Sequence, residues 1–533
     1  MKATEAVDWV DPDRWKATPA TVRLELLKQI RRNIDRHFDD LVTADCKAKG
    51  INRDVAANAH QVGTSVQATV VPVAGNVSAA IALYEGLVQG RPLQPLAVRA
   101  VGDGRFDIRV GPRGRDRLLN GDRTDILRVI GEPRRTDPYQ RPGGIIAVLG
   151  AGNFASSLEM INALFVDSCA VVHKPHHLNV GADLVWEQIL QPLVDVHALA
   201  FCDVEEGHEL TRDPRLSKIY FTGGAPSARA IMAATDTELV SECGGNNPCV
   251  VIPGDRRWTP REIRHQALQI ATMVKINGGS VCGRVQTLVT SRQWPQRREF
   301  LDAVTLALRD QTPATTTYYP GADKTFATFQ EAYPDARIIE SRDRAPRSRV
   351  LVIEDVDQDG FAVHHEAFCQ VMSEVALDVA PDAEVFTPAA VAFCNDTLLG
   401  TLAVTVLVDD DTRKAHASTV DRAVTQLRYG AVGVNTMPPT VWTNPYLTWG
   451  GNEDGEELVS GHGNFGNVLG YENVDKSIVF SGFTSPGHLI NDRKQGWLDL
   501  STSFTRYTID PTWGRLFALA GTVTRLRLQR PDF

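Results

Sequence analysis

The 533-residue sequence has little cysteine and no cysteine pattern that would tie the chain together. Its eight cysteines are scattered, and none forms a C-x-x-C pair. This usage is typical of reduced thiols in a cytosol and excludes a disulfide scaffold or a zinc ribbon. A chain of this length buries a core that needs no disulfide or metal. We therefore expect a cytoplasmic protein without a metal site.

Long apolar runs are also scarce. The run at 143–149 (GGIIAVL) is far short of the roughly 18 residues that cross a membrane. The first fifteen residues, MKATEAVDWVDPDRW, contain no apolar segment of a secretory signal. The sequence thus predicts no association with a membrane.

The charge balance contains no basic excess. Lys and Arg number 56 against 65 Asp and Glu, which gives a net charge of −9 and a pI near 5.8. This balance argues against a nucleic-acid partner and against binding to anionic membranes. The 42 Gly and 29 Pro are too few for a collagen-like or low-complexity chain.

Helical periodicity marks the first hundred residues, with apolar side chains spaced for a helix over 20–41 and again over 78–88. The Arg-rich stretch at 100–141 admits two interpretations. It could bind an anionic ligand, or it could form an ion-paired, solvated hairpin. The close alternation of the two charge signs favours the hairpin.

From Gly143 onward, short β-branched runs alternate with helical stretches. The predicted strands are 144–149, 170–173, 218–221, 238–241 and 249–252, and the predicted helices between them are 156–165, 180–194 and 227–234. This alternation predicts an α/β fold with a parallel, doubly wound, Rossmann-like sheet, whose ligands bind beyond the carboxyl ends of the strands. A second α/β region, over 246–450, is expected to form another domain. The stretch 522–528 (TVTRLRL) alternates like an edge strand.

Two segments carry candidate reactive groups. Cys282 stands in a glycine-rich stretch, NGGSVCG at 277–283, where it is either a small apolar residue or a nucleophile. Glu242 ends an apolar strand before Gly244 and Gly245. Desolvation there would raise its pKa and suit it as a general base. The alternative is a carboxylate that only accepts hydrogen bonds from turn amides.

Three further segments follow predicted strands. Asn153, in the turn GAGNF, could donate a hydrogen bond to an oxyanion, although a plain turn explains it equally. Gly223 and Gly224 could expose N–H groups to a pyrophosphate or form a bare turn. Lys174 closes the strand that follows the Asn153 turn, and taken alone it is a surface lysine.

In this order and at these spacings, the segments resemble the aldehyde dehydrogenase superfamily over roughly 140–480. The matching motifs are Asn153-Phe154, Lys174-Pro175, Phe221 to Gly224, Glu242 to Pro248, Asn277 to Cys282, Glu366-Ala367-Phe368, Gly430 to Asn435 and Ser460 to Asn467. Several motifs in the right order are far more specific than any one of them.

The resemblance implies an enzyme that oxidises a small-molecule aldehyde to a carboxylic acid with NADP or NAD. Cys282 would attack the aldehyde and Asn153 would hold the oxyanion. After hydride transfer leaves a thioester, Glu242 would activate water. The pKa of a free thiol, near 8.5, leaves only a few per cent thiolate at pH 7. We therefore expect the site to lower the pKa of Cys282.

The resemblance also assigns the cofactor contacts. Lys174 would bind the adenine-side ribose, Gly223 and Gly224 the pyrophosphate, and Glu366 and Phe368 the nicotinamide half. His177 stands where NAD-preferring members often carry Glu, which favours NADP. The chain departs from the family at Gly224, usually Ser, at Ser280, usually Gln, and after Phe368.

Two rival functions stay open. A CoA-acylating or reductive member usually lacks the carboxylate of Glu242, so hydrolysis is favoured. A catalytically silent binding protein typically loses the nucleophile, whereas Cys282, Asn153 and Glu242 are all present. Phe154 and Trp442 could line opposite sides of an apolar or aromatic substrate pocket or simply pack.

The domain organisation follows from the same resemblance. We predict a dinucleotide-binding domain from 1–120 and 140–245, and a catalytic domain from 246–450. A small β oligomerisation element is predicted from the hairpin 121–139 and the tail 480–533, in a homo-oligomer, either a dimer or a tetramer.

Overall fold

The computed structural model describes residues 1–155, 157–342, 348–453, 458–485, 488 and 495–529. In chain order the strands are β1 (Ala97–Gly102), β2 (Arg105–Gly111), β3 (Thr124–Ile130), β4 (Ile145–Leu149), β5 (Ala170–Lys174), β6 (Leu199–Phe201), β7 (Leu216–Thr222), β8 (Leu239–Glu242), β9 (Pro248–Val251), β10 (Thr287–Ser291), β11 (Arg337–Glu340), β12 (Arg349–Ile353), β13 (Val371–Leu377), β14 (Ala403–Leu407), β15 (Ala431–Val434), β16 (Thr448–Trp449), β17 (Phe465–Gly466) and β18 (Val474–Phe480).

The α-helices in chain order are α1 (Ala3–Trp9), α2 (Pro12–Ala17), α3 (Ala20–Arg36), α4 (Phe38–Ala48), α5 (Ala59–Val88), α6 (Asp116–Leu119), α7 (Glu159–Phe165), α8 (Val180–Asp195), α9 (Gly207–Leu210), α10 (Ala225–Ala234), α11 (Pro260–Lys275), α12 (Arg297–Leu306), α13 (Ala322–Ala332), α14 (Phe361–His364), α15 (Ala383–Asp396), α16 (Asp410–Ala415), α17 (Ala417–Gln426), α18 (Pro439–Trp442), α19 (Gln495–Ile509) and α20 (Trp513–Gln529). The predicted helix 156–165 thus begins three residues later, and its first residue lies outside the described part.

The smaller of the two large sheets carries the predicted Rossmann-like order. Its five parallel strands run β6-β5-β4-β7-β8, and the strands β4 and β5 are buried almost throughout because helices cover both faces. The carboxyl ends of parallel strands meet at one edge. That edge brings together the residues that follow β4, β5, β7 and β8. The parallel strands and the helices that cover them confirm the predicted α/β fold class.

The larger sheet has eleven strands, in the order β1-β2-β3-β18-β15-β14-β9-β10-β13-β12-β11. Strands from β18 to β12 pair in parallel, and β1, β2 and β3 form an antiparallel ribbon that joins the sheet through β18. Within the ribbon Arg128 pairs with Asp107 at 2.6 Å and Arg123 with Asp125 at 2.7 Å. The ion-paired ribbon predicted for 100–141 is therefore present, but these two pairs are largely buried and not solvated as expected.

The apolar-run argument missed one long helix. The stretch Ala56–Val88 has a mean hydropathy of 1.5 over its best window and is long and apolar enough to cross a membrane by length and composition. Interspersed Thr, Gln, Asn and Ser break the apolar runs of this helix but leave its mean hydropathy high. A criterion based on uninterrupted apolar runs therefore does not detect it. Because 83% of that window is buried inside the protein, α5 is a core helix here.

The C-terminal tail corrects a second expectation. Residues 522–528, predicted as an edge strand, lie in α20. The alternation of TVTRLRL is local, whereas Leu516, Leu519, Val523 and Leu526 continue a helical spacing from upstream. These leucines pack with Trp497, Leu500 and Tyr507 of α19, and α19 packs along α5.

Candidate active site

The loop that carries Cys282 begins where α11 ends. Asn277, Gly278 and Gly279 have φ values of 52°, 67° and 83°, so the chain turns through the left-handed region that favours glycine. A β-carbon on Gly278 would lie 2.4 Å from the carbonyl oxygen of Thr316. The turn therefore needs glycine for both conformation and space, and it delivers Cys282, which is partly exposed, just before β10.

Asn153 is fastened to that loop. Its side-chain amide donates a hydrogen bond of 3.2 Å to the carbonyl of Ser280. Its own carbonyl accepts hydrogen bonds from the Asn277 amide at 3.0 Å and from the Tyr318 hydroxyl at 2.8 Å. A primary amide has two N–H donors. The second N–H of Asn153 is thus held next to the nucleophile loop, where a developing oxyanion needs a donor.

The Glu242 carboxyl lies at the carboxyl end of β8 and is 2% exposed. Burial, together with the negative charge of Glu159, raises its pKa to about 7, while the neighbouring Cys282 and Trp449 side chains act to lower it. The thiol and the carboxyl therefore face each other. A carboxyl with a pKa near 7 is suited to general-base work at neutral pH.

The thiol itself corrects the expectation of a lowered pKa. Burial raises the pKa of Cys282 well above its ordinary value, and the charges of Glu242 and Glu366 add to the effect. Two carboxylates and no cation face the sulfur among the groups that shift this pKa. In this state the thiol keeps its proton, so a base must remove that proton when the thiol reacts.

The residues expected to hold a cofactor lie along the carboxyl edge of the five-stranded sheet. Lys174 ends β5, where desolvation lowers its pKa. Gly223 and Gly224 link β7 to α10, and the Gly223 N–H donates to the Glu242 carbonyl at 3.0 Å, so it is not exposed to a ligand as expected. His177 is exposed, with its ring 4.1 Å from that of His176. A cation, a glycine turn and the start of a helix on one edge fit an elongated anionic ligand.

Glu366 and Phe368 lie on the other side of this edge. A β-carbon on Gly244 would come within 2.5 Å of Glu366 Oε1, so the carboxyl occupies the space that glycine leaves. Burial raises the pKa of Glu366 to about 8. The Phe368 carbonyl accepts a hydrogen bond of 3.3 Å from the Ser280 hydroxyl. The segment therefore bridges the glycine turn after Glu242 and the Cys282 loop.

Phe154 and Trp442 come together, as expected if they simply pack and not if they line opposite sides of a pocket. Their rings stack at 5.1 Å with an interplanar angle of 23°. Cys282 and Trp442 both pack against the same apolar cluster. Phe154 and Trp442 therefore form one aromatic wall, because stacked rings bury more surface than two rings that lie apart.

Three residues of this site carried no role in the sequence analysis. Asn247 donates from its side chain to the carbonyls of Cys282 at 2.5 Å and Arg284 at 3.1 Å, which fixes the loop beyond the nucleophile. Glu159 begins α7, and its carboxyl accepts a hydrogen bond of 3.3 Å from Thr222. Trp449, in β16, interacts with Glu242. Asn247 and Glu159 stand near recognised motifs, but Trp449 gave no signal that could have found it.

The sequence comparisons agree with this geometry. Residues 121–315 match the profile of the aldehyde dehydrogenase family. N-succinylglutamate 5-semialdehyde dehydrogenase of Novosphingobium aromaticivorans is 26% identical over 286 residues, which are 52% of this chain and 50% of that protein. The chain thus spans about half the length of this curated relative.

Solved structures share the fold. Aldehyde dehydrogenase C of Pseudomonas syringae, solved with NAD+ and octanal, is 19% identical with a TM-score of 0.61, covering 92% of this chain and 90% of its own. The NADP-dependent glyceraldehyde-3-phosphate dehydrogenase of Bacillus halodurans, solved with NADP, is 15% identical with a TM-score of 0.61, covering 90% of this chain and 91% of its own. Residues 121–315 thus resemble the aldehyde dehydrogenase family, and the chain shares the fold of these solved structures.

Proposed function

We propose that this chain is an NAD(P)-dependent dehydrogenase that oxidises an aldehyde to a carboxylic acid through a thioester on Cys282. The observation that carries the proposal is the pairing of the Cys282 thiol with the buried Glu242 carboxyl, beside the tethered amide of Asn153. A nucleophile, a base and an oxyanion donor around one carbonyl are the parts that acyl chemistry needs.

In the first half-reaction the sulfur of Cys282 adds to the aldehyde carbon, and the thiol proton passes to the Glu242 carboxylate. The Asn153 side chain and the Cys282 backbone N–H stabilise the oxyanion. A nicotinamide cofactor held by Glu366 and Phe368 would supply the acceptor for the hydride that this carbon loses. The carbon then carries a thioester to Cys282.

In the second half-reaction Glu242 first releases the thiol proton to solvent and then takes a proton from water as the water oxygen bonds to the thioester carbon. The carbon–sulfur bond then breaks, Cys282 leaves as a thiolate, and the carboxylic acid departs. This role for Glu242 supports the hydrolytic type over a CoA-acylating or reductive enzyme, since a base at this position favours hydrolysis of the thioester. The presence of Cys282, Glu242 and Asn153 together also argues against a catalytically silent binding protein.

The cofactor proposal is NADP or NAD. Lys174 would bind the adenine-side ribose, Gly223 and Gly224 the pyrophosphate, and Glu366 and Phe368 the nicotinamide half. His177 is an exposed side chain three residues after Lys174, and a site without a carboxylate there does not repel a 2′-phosphate. This feature supports NADP.

The remaining proposals concern substrate and context. The aromatic wall of Phe154 and Trp442 supports an aldehyde with an apolar tail. We propose a cytoplasmic homo-oligomer, a dimer or tetramer, with no nucleic-acid or membrane partner. The domain limits proposed are 1–120 with 140–245, 246–450, and 121–139 with 480–533.

The proposal is tested by steady-state assays of an aldehyde panel with NAD and with NADP, in the presence and absence of CoA. We expect reduced cofactor and free acid from wild type and from C394A, whose sulfur is buried in the core beneath the larger sheet. C282A should form neither. Full activity in C282A would remove the assigned nucleophile, and acyl-CoA as the main product would overturn the hydrolytic type.

A further inference from the structure

Two buried polar atoms near Cys282 lack a hydrogen bond of normal geometry. They are Oε1 of Glu242 and Nε1 of Trp449, and neither has a partner among the described residues. The side chains are 2% and 5% exposed. A buried donor or acceptor left unpaired costs about 1–3 kcal/mol, so a pair of such atoms at one site requires an explanation.

The position of the indole ring is fixed by Gly283. A β-carbon on Gly283 would lie 2.5 Å from Cη2 and 2.8 Å from Cζ2 of Trp449. Cζ2 belongs to the ring edge that also carries Nε1. The N–H edge of Trp449 therefore lies against the residue that follows the nucleophile, and the absence of a side chain on Gly283 is what lets the ring reach this place.

The backbone around Trp449 holds the ring there. Trp449 pairs with Phe465 in the short ribbon of β16 and β17, and Gly450 lies close to the chain at Gly463, where a β-carbon would meet a carbonyl oxygen at 2.3 Å. The ring is thus placed by strand pairing and close packing, which leaves the N–H pre-organised to act on Glu242.

Three titratable groups face Glu242. Hydrogen bonding with the Cys282 thiol lowers the pKa of Glu242, whereas the charges of Glu159 and Glu366 oppose its ionisation. Thr222, the register partner of Glu242 across β7 and β8, donates to Glu159 on the same side of the sheet. Trp449 is the neutral N–H donor whose side chain acts in the other direction, since it favours the carboxylate.

We propose that Trp449 is the positioning residue of the general base: its indole N–H holds the ionised Glu242 carboxylate facing Cys282. The proposal rests on the proposed function, because it assigns a residue to the hydrolytic half-reaction. A donor aimed at one carboxylate oxygen stabilises the anion and leaves the other oxygen to accept a proton from water.

The first variant is W449F, which keeps an aromatic ring against Gly283 and removes the N–H. Without the donor, the pKa of Glu242 should rise, so the acid limb of the deacylation rate should move to higher pH by about 0.5 to 1 unit. Near pH 6 this means release of acid roughly three- to tenfold slower. The burst of reduced cofactor, which precedes deacylation, should keep its amplitude.

E159Q is the variant of opposite sign. It removes the charge that raises the pKa of Glu242, so the acid limb should move to lower pH. If W449F does not fold, a β-(3-benzothienyl)alanine at position 449 preserves the bicyclic shape and replaces the N–H by sulfur. The same upward shift is expected from it.

A second readout needs neither cofactor nor substrate. Infrared pH titration of the free enzyme, with E242Q subtracted, follows the protonated carboxyl band of Glu242. W449F should raise its midpoint and E159Q should lower it. Unchanged midpoints in W449F and in the benzothienyl variant would overturn the inference, even with a fully active wild type. A shifted midpoint in a protein that oxidises no aldehyde would instead overturn the proposed function and leave the contact in place.

Discussion

The Asn153 side chain and the Ser280 carbonyl are joined by a hydrogen bond of 3.2 Å, which links the turn after β4 to the loop of the nucleophile. These two segments are 127 residues apart in sequence. The hydrogen bond therefore ties the oxyanion donor, which follows a strand of the five-stranded sheet, to the nucleophile loop, which precedes a strand of the eleven-stranded sheet.

Replacement of Asn153 by alanine should slow the acylation step. Removal of one pre-organised oxyanion donor costs about 10²- to 10³-fold in rate. The measurement is the rate of the burst of reduced cofactor in stopped flow, with N58A, a partly exposed asparagine outside this site, as the control. A burst at the wild-type rate in folded N153A would show that another group holds the oxyanion.

The ion pair of Asp45 and Lys49 leads to a stability prediction. The pair is 2.8 Å long with side chains 0% and 3% exposed, and Lys49 lies 5.8 Å from the ring of Phe154. In K49M the Asp45 carboxylate loses its counter-ion inside the protein, which should cost about 3–5 kcal/mol of unfolding free energy.

The double variant D45N/K49M is the matched control, since it removes both charges. It should recover most of the stability in urea denaturation. A K49M loss below about 1 kcal/mol, within the range of exposed pairs, would show that water reaches the pair.

The sequence located the parts of the site that depend on short-range patterns. Strands β4, β5 and β7 are apolar runs bounded by Gly, Pro or polar residues, so their ends and the positions of Asn153, Lys174 and Gly223 could be read directly. The neighbours of Glu242 could not. Trp449 is more than 200 residues away from it, and only the folded chain brings the indole to the carboxyl. The direction of the Cys282 pKa depends on the same tertiary contacts.

Glu366 leads to a pH-dependent stability prediction. Burial raises its pKa from 4.5 to about 8, so the folded state binds this proton more tightly than the unfolded state. Its contribution to stability is therefore favourable at low pH and is lost progressively as the pH rises from about 4.5 towards 8. E366Q removes that loss.

We expect E366Q to melt at a higher temperature than wild type at pH 8, and the gap to shrink as the pH falls towards 5. Calorimetry of the cofactor-free protein across this range is the measurement. E340Q, in exposed strand β11, is the control and should follow wild type. A gap that stays constant with pH would mean that Glu366 keeps its ordinary pKa.

The packing of α19 on α5 gives the last prediction. Trp497 is 1% exposed, and a β-carbon on Gly63 of α5 would lie 2.7 Å from its Cδ1. The ring thus occupies a notch in the apolar helix that α19 helps to bury. W497A should cost about 3–5 kcal/mol, the usual range for a buried Trp, and should expose part of α5.

Trp513 offers the comparison within the same tail. It begins α20, is 49% exposed and lies under the guanidinium of Arg115 at 4.9 Å. W513A should therefore lose no more than about 1 kcal/mol, because an exposed cation–π contact and little buried area are removed. Urea denaturation of both variants, with binding of a hydrophobic dye as the second signal, tests the difference. Equal losses from the two substitutions would show that α19 does not cover α5, because of these two tryptophans Trp497 is the one that contacts α5 at Gly63.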